Sequence, residues 1–133
     1  FYGSHFFAAN IKKIYNAVKS NKKKIVVWGT GKAKRELIFN EDVADACVYF
    51  LNKKTKEYII NIGTGRDRTI KQYVEFIMKK FKKKLIIKFD KSKPDGVPRK
   101  LLDISVAKKY GWSAKTSLSE GFDSTLIDFE KKN

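Results

Sequence analysis

The sequence predicts an alternating α/β fold of about three strands and five helices, and three observations carry that expectation. Short apolar runs are each stopped by a Gly-Thr-Gly turn or a charged loop. Stretches with apolar residues three and four apart separate them, the period of an amphipathic helix. Two sequences, Thr69-Ile70-Lys71-Gln72 and Ser117-Leu118-Ser119-Glu120, are capping boxes, so each marks a helix start.

The elements follow in order. Residues 5 to 19 read as a helix, with Phe7, Ile11, Ile14, Tyr15 and Val18 on one face and Lys12, Lys13 and Lys19 outside it. Residues 24 to 28 are a short buried strand. Gly29-Thr30-Gly31 ends it and opens a polar loop to about Phe39. Asn40 is expected to cap a helix over 41 to 52, with Glu41 and Asp42 in the first turn, where the helix dipole favours them. A second strand is expected over 57 to 62, stopped by Gly63-Thr64-Gly65, then a helix over 70 to 81. Residues 84 to 89 alternate as a third strand. Residues 90 to 99 hold both prolines and form a loop. A short helix near 105 to 110 ends at Gly111, and the last helix runs to about 131.

At 133 residues the chain has room for one domain and one core. Hydrophobic residues make up 42% and aromatics 14%, enough to bury such a core. Three strands make a small sheet, which is expected to pack on something larger. Phe1 is not an initiator methionine, so a fragment or a processed product is expected. No apolar run approaches the ~18 residues of a membrane span, and no secretory leader is visible. Cys47 is the only cysteine; among Val43, Ala44, Ala46 and Val48 it reads as a small core residue. The cytoplasm is the default compartment.

The net charge of +16 raises nucleic acid as a partner. It is not the expected one. The basic residues are 26 Lys and only 4 Arg, whereas specific recognition leans on the guanidinium fork. The lysines also fall on every predicted helix and loop. A solvated surface is the expectation, with steering of an anionic substrate as a secondary effect.

Neither Gly-x-Gly turn continues to the third glycine of a dinucleotide fingerprint, for Lys32-Ala33-Lys34 follows one and Arg66-Asp67-Arg68 the other. No His/Cys cluster has metal-ligand spacing, so no metal is expected. Tyr-x-x-x-Lys occurs as Tyr15/Lys19 and Tyr49/Lys53, but six tyrosines in so lysine-rich a chain make chance matches expected. Ligands of α/β units sit at the carboxyl ends of strands. The loops there bring Trp28, Arg35, Lys93, Arg99 and Lys100, cations for a diphosphate and an indole face for a base or sugar. A core Trp beside a solvated basic loop is the competing reading, and on composition alone it leads.

The same residues carry a resemblance. Val26-Val27-Trp28-Gly29-Thr30-Gly31 with Arg35-Glu36, then Asp42-Val43-Ala44-Asp45-Ala46, then Asn61-Ile62-Gly63-Thr64-Gly65 resemble the extended short-chain dehydrogenase/reductase family. Within it, Ser92-Lys93-Pro94-Asp95-Gly96, Pro98-Arg99-Lys100-Leu101-Leu102-Asp103 and Gly111-Trp112 resemble the GDP-L-fucose synthases. The resemblance runs from about Ser4 to the end. It implies that residues 1 to 133 are the carboxy-terminal substrate-binding lobe, with the Rossmann half missing.

The family epimerises C3 and C5 of GDP-4-keto-6-deoxy-D-mannose and reduces C4 with NADPH, giving GDP-L-fucose. The ketone acidifies neighbouring C–H groups, so an acid/base side chain can exchange those protons. Ser4-His5 matches the family's Ser-His pair, which makes His5 the implied catalytic residue. Lys13, Trp28, Arg35 and Lys100 match positions that bind the GDP-sugar, and Asp95 is a lesser candidate that holds its loop as a turn residue. Tyr2 and His5 fall on the cofactor side, although NADPH would be held mainly by the missing amino-terminal half. The family's catalytic Ser, Tyr and Lys have no counterpart here, so the chain alone is expected to reduce nothing. The full-length enzyme is expected to be a cytoplasmic homodimer. Two departures stand out: Gly3 abuts Ser4 where the family has roughly ten more residues, and Phe39 replaces a polar aromatic or His.

Overall fold

The computed structural model describes residues 5 to 131. Their order is α1 (Phe6–Lys19), β1 (Lys24–Trp28), β2 (Lys34–Glu36), α2 (Asn40–Leu51), β3 (Asp67–Thr69), α3 (Ile70–Lys80), β4 (Ile86–Asp90), β5 (Arg99–Lys100), α4 (Ser105–Lys109) and α5 (Leu118–Lys131). The α/β class and the five helices are as expected. The single expected domain divides into two compact units. Unit 1 comprises residues up to 35 together with 68 to 100, and unit 2 comprises 36 to 67 together with 101 onward.

In unit 1, β1 and β4 pair in parallel, from Lys24 opposite Ile86 to Trp28 opposite Asp90. A second sheet has the order β3-β2-β5, with Lys34 opposite Arg99 and Arg35 opposite Lys100. Helices α1 and α3 pack together, and α1 packs on β1. Ile14, Val27, Val74 and Ile77 are fully buried between them. Each such aliphatic side chain contributes about 1.5–3 kcal/mol. The capping box of α3 is complete: the Gln72 amide N–H donates to Thr69 Oγ1 at 3.1 Å, and the Thr69 amide N–H donates to Gln72 Oε1 at 2.8 Å.

Unit 2 gathers α2, α4 and α5. Its core joins Ala46, Ala107 and Trp112, with Ile38, Tyr49, Phe50, Ile60 and Ile62 against them. The second capping box also closes, Glu120 N–H to Ser117 Oγ at 3.2 Å and Ser117 N–H to Glu120 Oε2 at 2.9 Å.

Four expectations need correction. Residues 57 to 62 form no strand: among the described residues no ladder takes up their backbone, and Tyr58 and Ile59 are exposed. Alternation survives without a ladder, since Ile60 and Ile62 pack on the core while Asn61 faces out. Strands β2 and β5 interrupt segments read as loops, and β3 lies in a segment given no element; all three are two or three polar residues long, too short for a period of two to register. Phe39, not Asn40, is the N-cap of α2, and it makes no side-chain cap; the helix begins one residue early. Cys47 is exposed rather than buried. Ala46 points inward and takes the core position, which leaves Cys47 on the outer face with Val43, Val48 and Leu51.

Candidate functional site

The sequence-expected residues Lys13, Trp28, Arg35 and Lys100 all lie in unit 1. Trp28 closes β1 and is 60% exposed, so the core-Trp reading fails; the buried tryptophan is Trp112, at 3%. The Lys13 ammonium stands 5.3 Å from the Trp28 ring centroid and the Lys93 ammonium 5.7 Å. Lys13 also donates to the Val26 carbonyl at 3.2 Å, which fixes its head beside the ring. Burial lowers its pKa, by penalising the charged form.

The loop after β1 is tied to the loop after β4 by one carboxylate. Asp95 accepts the Thr30 hydroxyl at 2.6 Å and the Thr30 amide N–H at 2.6 Å. Gly29, at φ +78°, permits this approach, because a β-carbon there would strike the Asp95 carboxylate. Arg35 clamps the same loop from β2: its Nη1 donates to the carbonyls of Lys34 and Val97, each at 2.7 Å, and its Nη2 to that of Asp95 at 3.3 Å. Most of the fork therefore holds backbone, although the charge remains beside the loop. Thr30, Lys32, Ala33, Asp95, Gly96 and Pro98 line an open concavity of about 250 Å³. Lys100 is exposed on β5, opposite Arg35.

The Asp95 pKa is lowered, first by the Thr30 hydroxyl and then by its amide. A depressed carboxylate stabilises the loop above the ordinary aspartate range, and that contribution is lost as pH falls through the folded value. The Thr30 amide resonance should therefore hold its position through mildly acid pH and shift only below about pH 3.9. In Asp95→Asn it should not titrate at all. A Thr30 amide that moves at the usual aspartate pH would remove the brace.

His5 lies apart. It precedes α1, is exposed, and makes no side-chain cap. Eight residues of helix place it about 12 Å along the axis from Lys13. Tyr2 and the Gly3–Ser4 junction lie outside the described residues. Sequence reasoning quoted Glu36 only as part of a motif, yet it organises unit 2. Its carboxylate accepts the amide N–H of Gly65 at 2.6 Å and of Leu102 at 2.9 Å, and the Thr64 hydroxyl at 3.2 Å. Phe39, the departure noted above, packs on Gly121, whose absent β-carbon makes room for its ring.

Both glycine turns thus have their amides engaged by carboxylates, Thr30 by Asp95 and Gly65 by Glu36. A dinucleotide pyrophosphate needs such amides open and an uncharged cradle. Neither glycine turn fits that group. The Tyr49/Lys53 pair is structural: Lys53 donates to the Tyr49 hydroxyl at 3.1 Å, but that hydroxyl donates to the Tyr110 carbonyl at 2.7 Å. In the other pair the Lys19 ammonium stands 4.4 Å from the Tyr15 ring centroid. No cluster of metal ligands occurs among the described residues, and none of their helices is long and apolar enough to cross a membrane.

Residues 1–63 match the NAD dependent epimerase/dehydratase family. The chain is 41% identical over 133 residues to the GDP-L-colitose synthase of Yersinia pseudotuberculosis, covering 98% of this chain and 43% of that protein. It is 36% identical over 130 residues to GDP-L-fucose synthase 1 of Arabidopsis thaliana, covering 98% and 40%. Among solved structures, a GDP-mannoheptose C4 reductase from Campylobacter jejuni with NADP bound shares a TM-score of 0.79 and 26% identity, over 97% of this chain and 46% of that one. Over residues 1–63 the chain is thereby similar to the NAD dependent epimerase/dehydratase family. Within it, the likeness is to GDP-L-fucose synthases and other GDP-sugar enzymes. The chain spans about two-fifths of the length of the curated relatives it matches.

Proposed function

We propose that the chain is the substrate-binding lobe of a GDP-sugar epimerase-reductase of the GDP-L-fucose synthase type. The observation that carries this reading is the exposed Trp28 ring with two ammonium groups beside it, at the carboxyl ends of β1 and β4. An indole face suits a purine or sugar, and cations suit a diphosphate. Arg35 and Lys100 add charge on the neighbouring strands. The lobe reading draws support from unit 2, whose α2 presents Val48 and Leu51 outward while Tyr58 and Ile59 are exposed. Such apolar surface suits packing against a further domain.

In this reading the lobe binds the nucleotide and His5 exchanges protons. His5 removes a proton from one face of the carbon next to the ketone, water or an acid in another part of the protein returns a proton to the opposite face of the enolate, and the centre inverts. Reduction at C4 would use NADPH held by another part of the protein, so residues 1–133 by themselves should bind the sugar nucleotide without reducing it. Titration calorimetry of the full-length protein with GDP-L-fucose and UDP-glucose tests the substrate class. GDP-L-fucose should bind at least about tenfold tighter, a difference of 1.4 kcal/mol. Equal affinities would defeat the GDP assignment, and binding of neither would defeat the site.

A further inference from the structure

The charge of the chain is not spread as its sequence implies. Unit 1 holds 21 of the 30 basic residues and only 3 of the 14 acidic ones. Within it, nine of the twelve residues in segments 19–24 and 79–84 are lysine, and none is acidic. The chain-wide share of lysine would give about two.

The fold brings these segments together at one end. Helices α1 and α3 end alike: the Lys22 amide reaches back to the Ala17 carbonyl, and the Lys83 amide to that of Met78. Asn21 and Lys82 take left-handed φ, 49° and 50°, to allow it. The Ile86 amide donates to the Lys23 carbonyl at 2.9 Å, and Lys83 Nζ lies 3.4 Å from Asn21 Oδ1. Each helix end carries about half a negative charge, which one lysine offsets. Nine exceed that need. The cluster also lies away from Trp28, across the whole of five-residue β1, about 16 Å.

We propose that this end of unit 1 docks a nucleic-acid backbone without regard to sequence. Lysine heads without an arginine fork contact phosphates but do not read bases. A duplex carries one charge per about 1.7 Å, a density that suits so compact a cluster. A bilayer suits it less, because neither segment exposes a large apolar side chain and Ile86 beside them is a single exposed aliphatic, not an apolar face to insert.

The test is fluorescence anisotropy of a mixed-sequence DNA duplex with the full-length protein, across a salt series. Replacing Lys22, Lys23, Lys79 and Lys84 together by Gln should lower affinity at least about tenfold at moderate salt and reduce the salt slope by about 3–4. The same four positions changed to Arg should bind as wild type. Changing Lys53, Lys54, Lys56 and Lys131 of unit 2 to Gln should alter affinity less than about twofold. Equal losses in the two Gln variants, no binding at low salt, or tighter binding to phosphatidylserine vesicles than to the duplex would each overturn the proposal.

Discussion

Replacing Trp28 by alanine in the full-length protein is expected to weaken GDP-sugar binding by about ten- to a hundredfold with little change in folding stability, since base–aromatic stacking is worth about 1–3 kcal/mol. The separation of the two effects follows from exposure. At 60% exposed, the ring gives the fold little burial to lose. What it offers is a face, with Lys13 at 5.3 Å and Lys93 at 5.7 Å. The lysines hold positive charge where a diphosphate attached to a stacked base or sugar would lie. Trp28→Phe keeps a face of smaller area and should retain most of the affinity. Lys93→Ala should cost less than Trp28→Ala, because the Lys93 head is exposed and screened. Calorimetric affinity beside a thermal melt decides the matter. If Trp28→Ala lowers the melting temperature and leaves affinity alone, the ring is a packing element and the proposed site loses its centre.

The sequence showed those parts of the fold that are written locally. Helices α1 and α3 and the start of α5 were legible because an apolar stripe or a capping box needs only neighbours along the chain. Strands β2, β3 and β5 were not, because nothing in Lys34-Arg35-Glu36 or Arg99-Lys100 marks a strand until a partner lies alongside. The segment 57–62 failed in the opposite sense: its residues favour a strand, but a strand is a property of a ladder. Cys47 failed because, of the neighbours counted around it in sequence, only Ala46 turns inward, while Val43, Ala44 and Val48 are exposed as it is. At the candidate site, Trp28, Arg35, Lys93 and Lys100 were legible as residue types after strands. Asp95 was legible only as a turn residue of its own loop, and Glu36 only as part of a motif. Each joins segments about 30 to 65 residues apart through a carboxylate, and nothing along the chain marks such a partner. The division of charge between the two units was equally hidden, since both units are assembled from separated stretches of chain.

Asp42→Ala is expected to destabilise the protein by about 3 kcal/mol, because it removes a buried carboxylate on which two part-buried amides and a hydroxyl converge. Asp42 is only 5% exposed. It accepts the Thr116 amide N–H at 3.0 Å, the Thr116 hydroxyl at 3.1 Å and the Lys115 amide N–H at 3.3 Å. One turn later Asp45 accepts the Trp112 indole N–H at 2.9 Å and the Lys115 ammonium at 3.4 Å. The two acids of the Asp42-Val43-Ala44-Asp45-Ala46 motif therefore dock one face of α2 on residues 112–116, with Ala46 filling the core between Trp112 and Ala107. The segment they secure leads straight into the capping box of α5, so its release should loosen that helix as well. The thermal midpoint should fall on the order of 10 °C. Asp42→Asn keeps an acceptor oxygen and should lose about half as much. Glu41→Ala, one residue away and exposed, should stay within about 0.5 kcal/mol of wild type. An Asp42→Ala protein that melts with the wild type would show that the 112–116 segment holds its place without the carboxylate, and that the motif owes its spacing to something other than these hydrogen bonds.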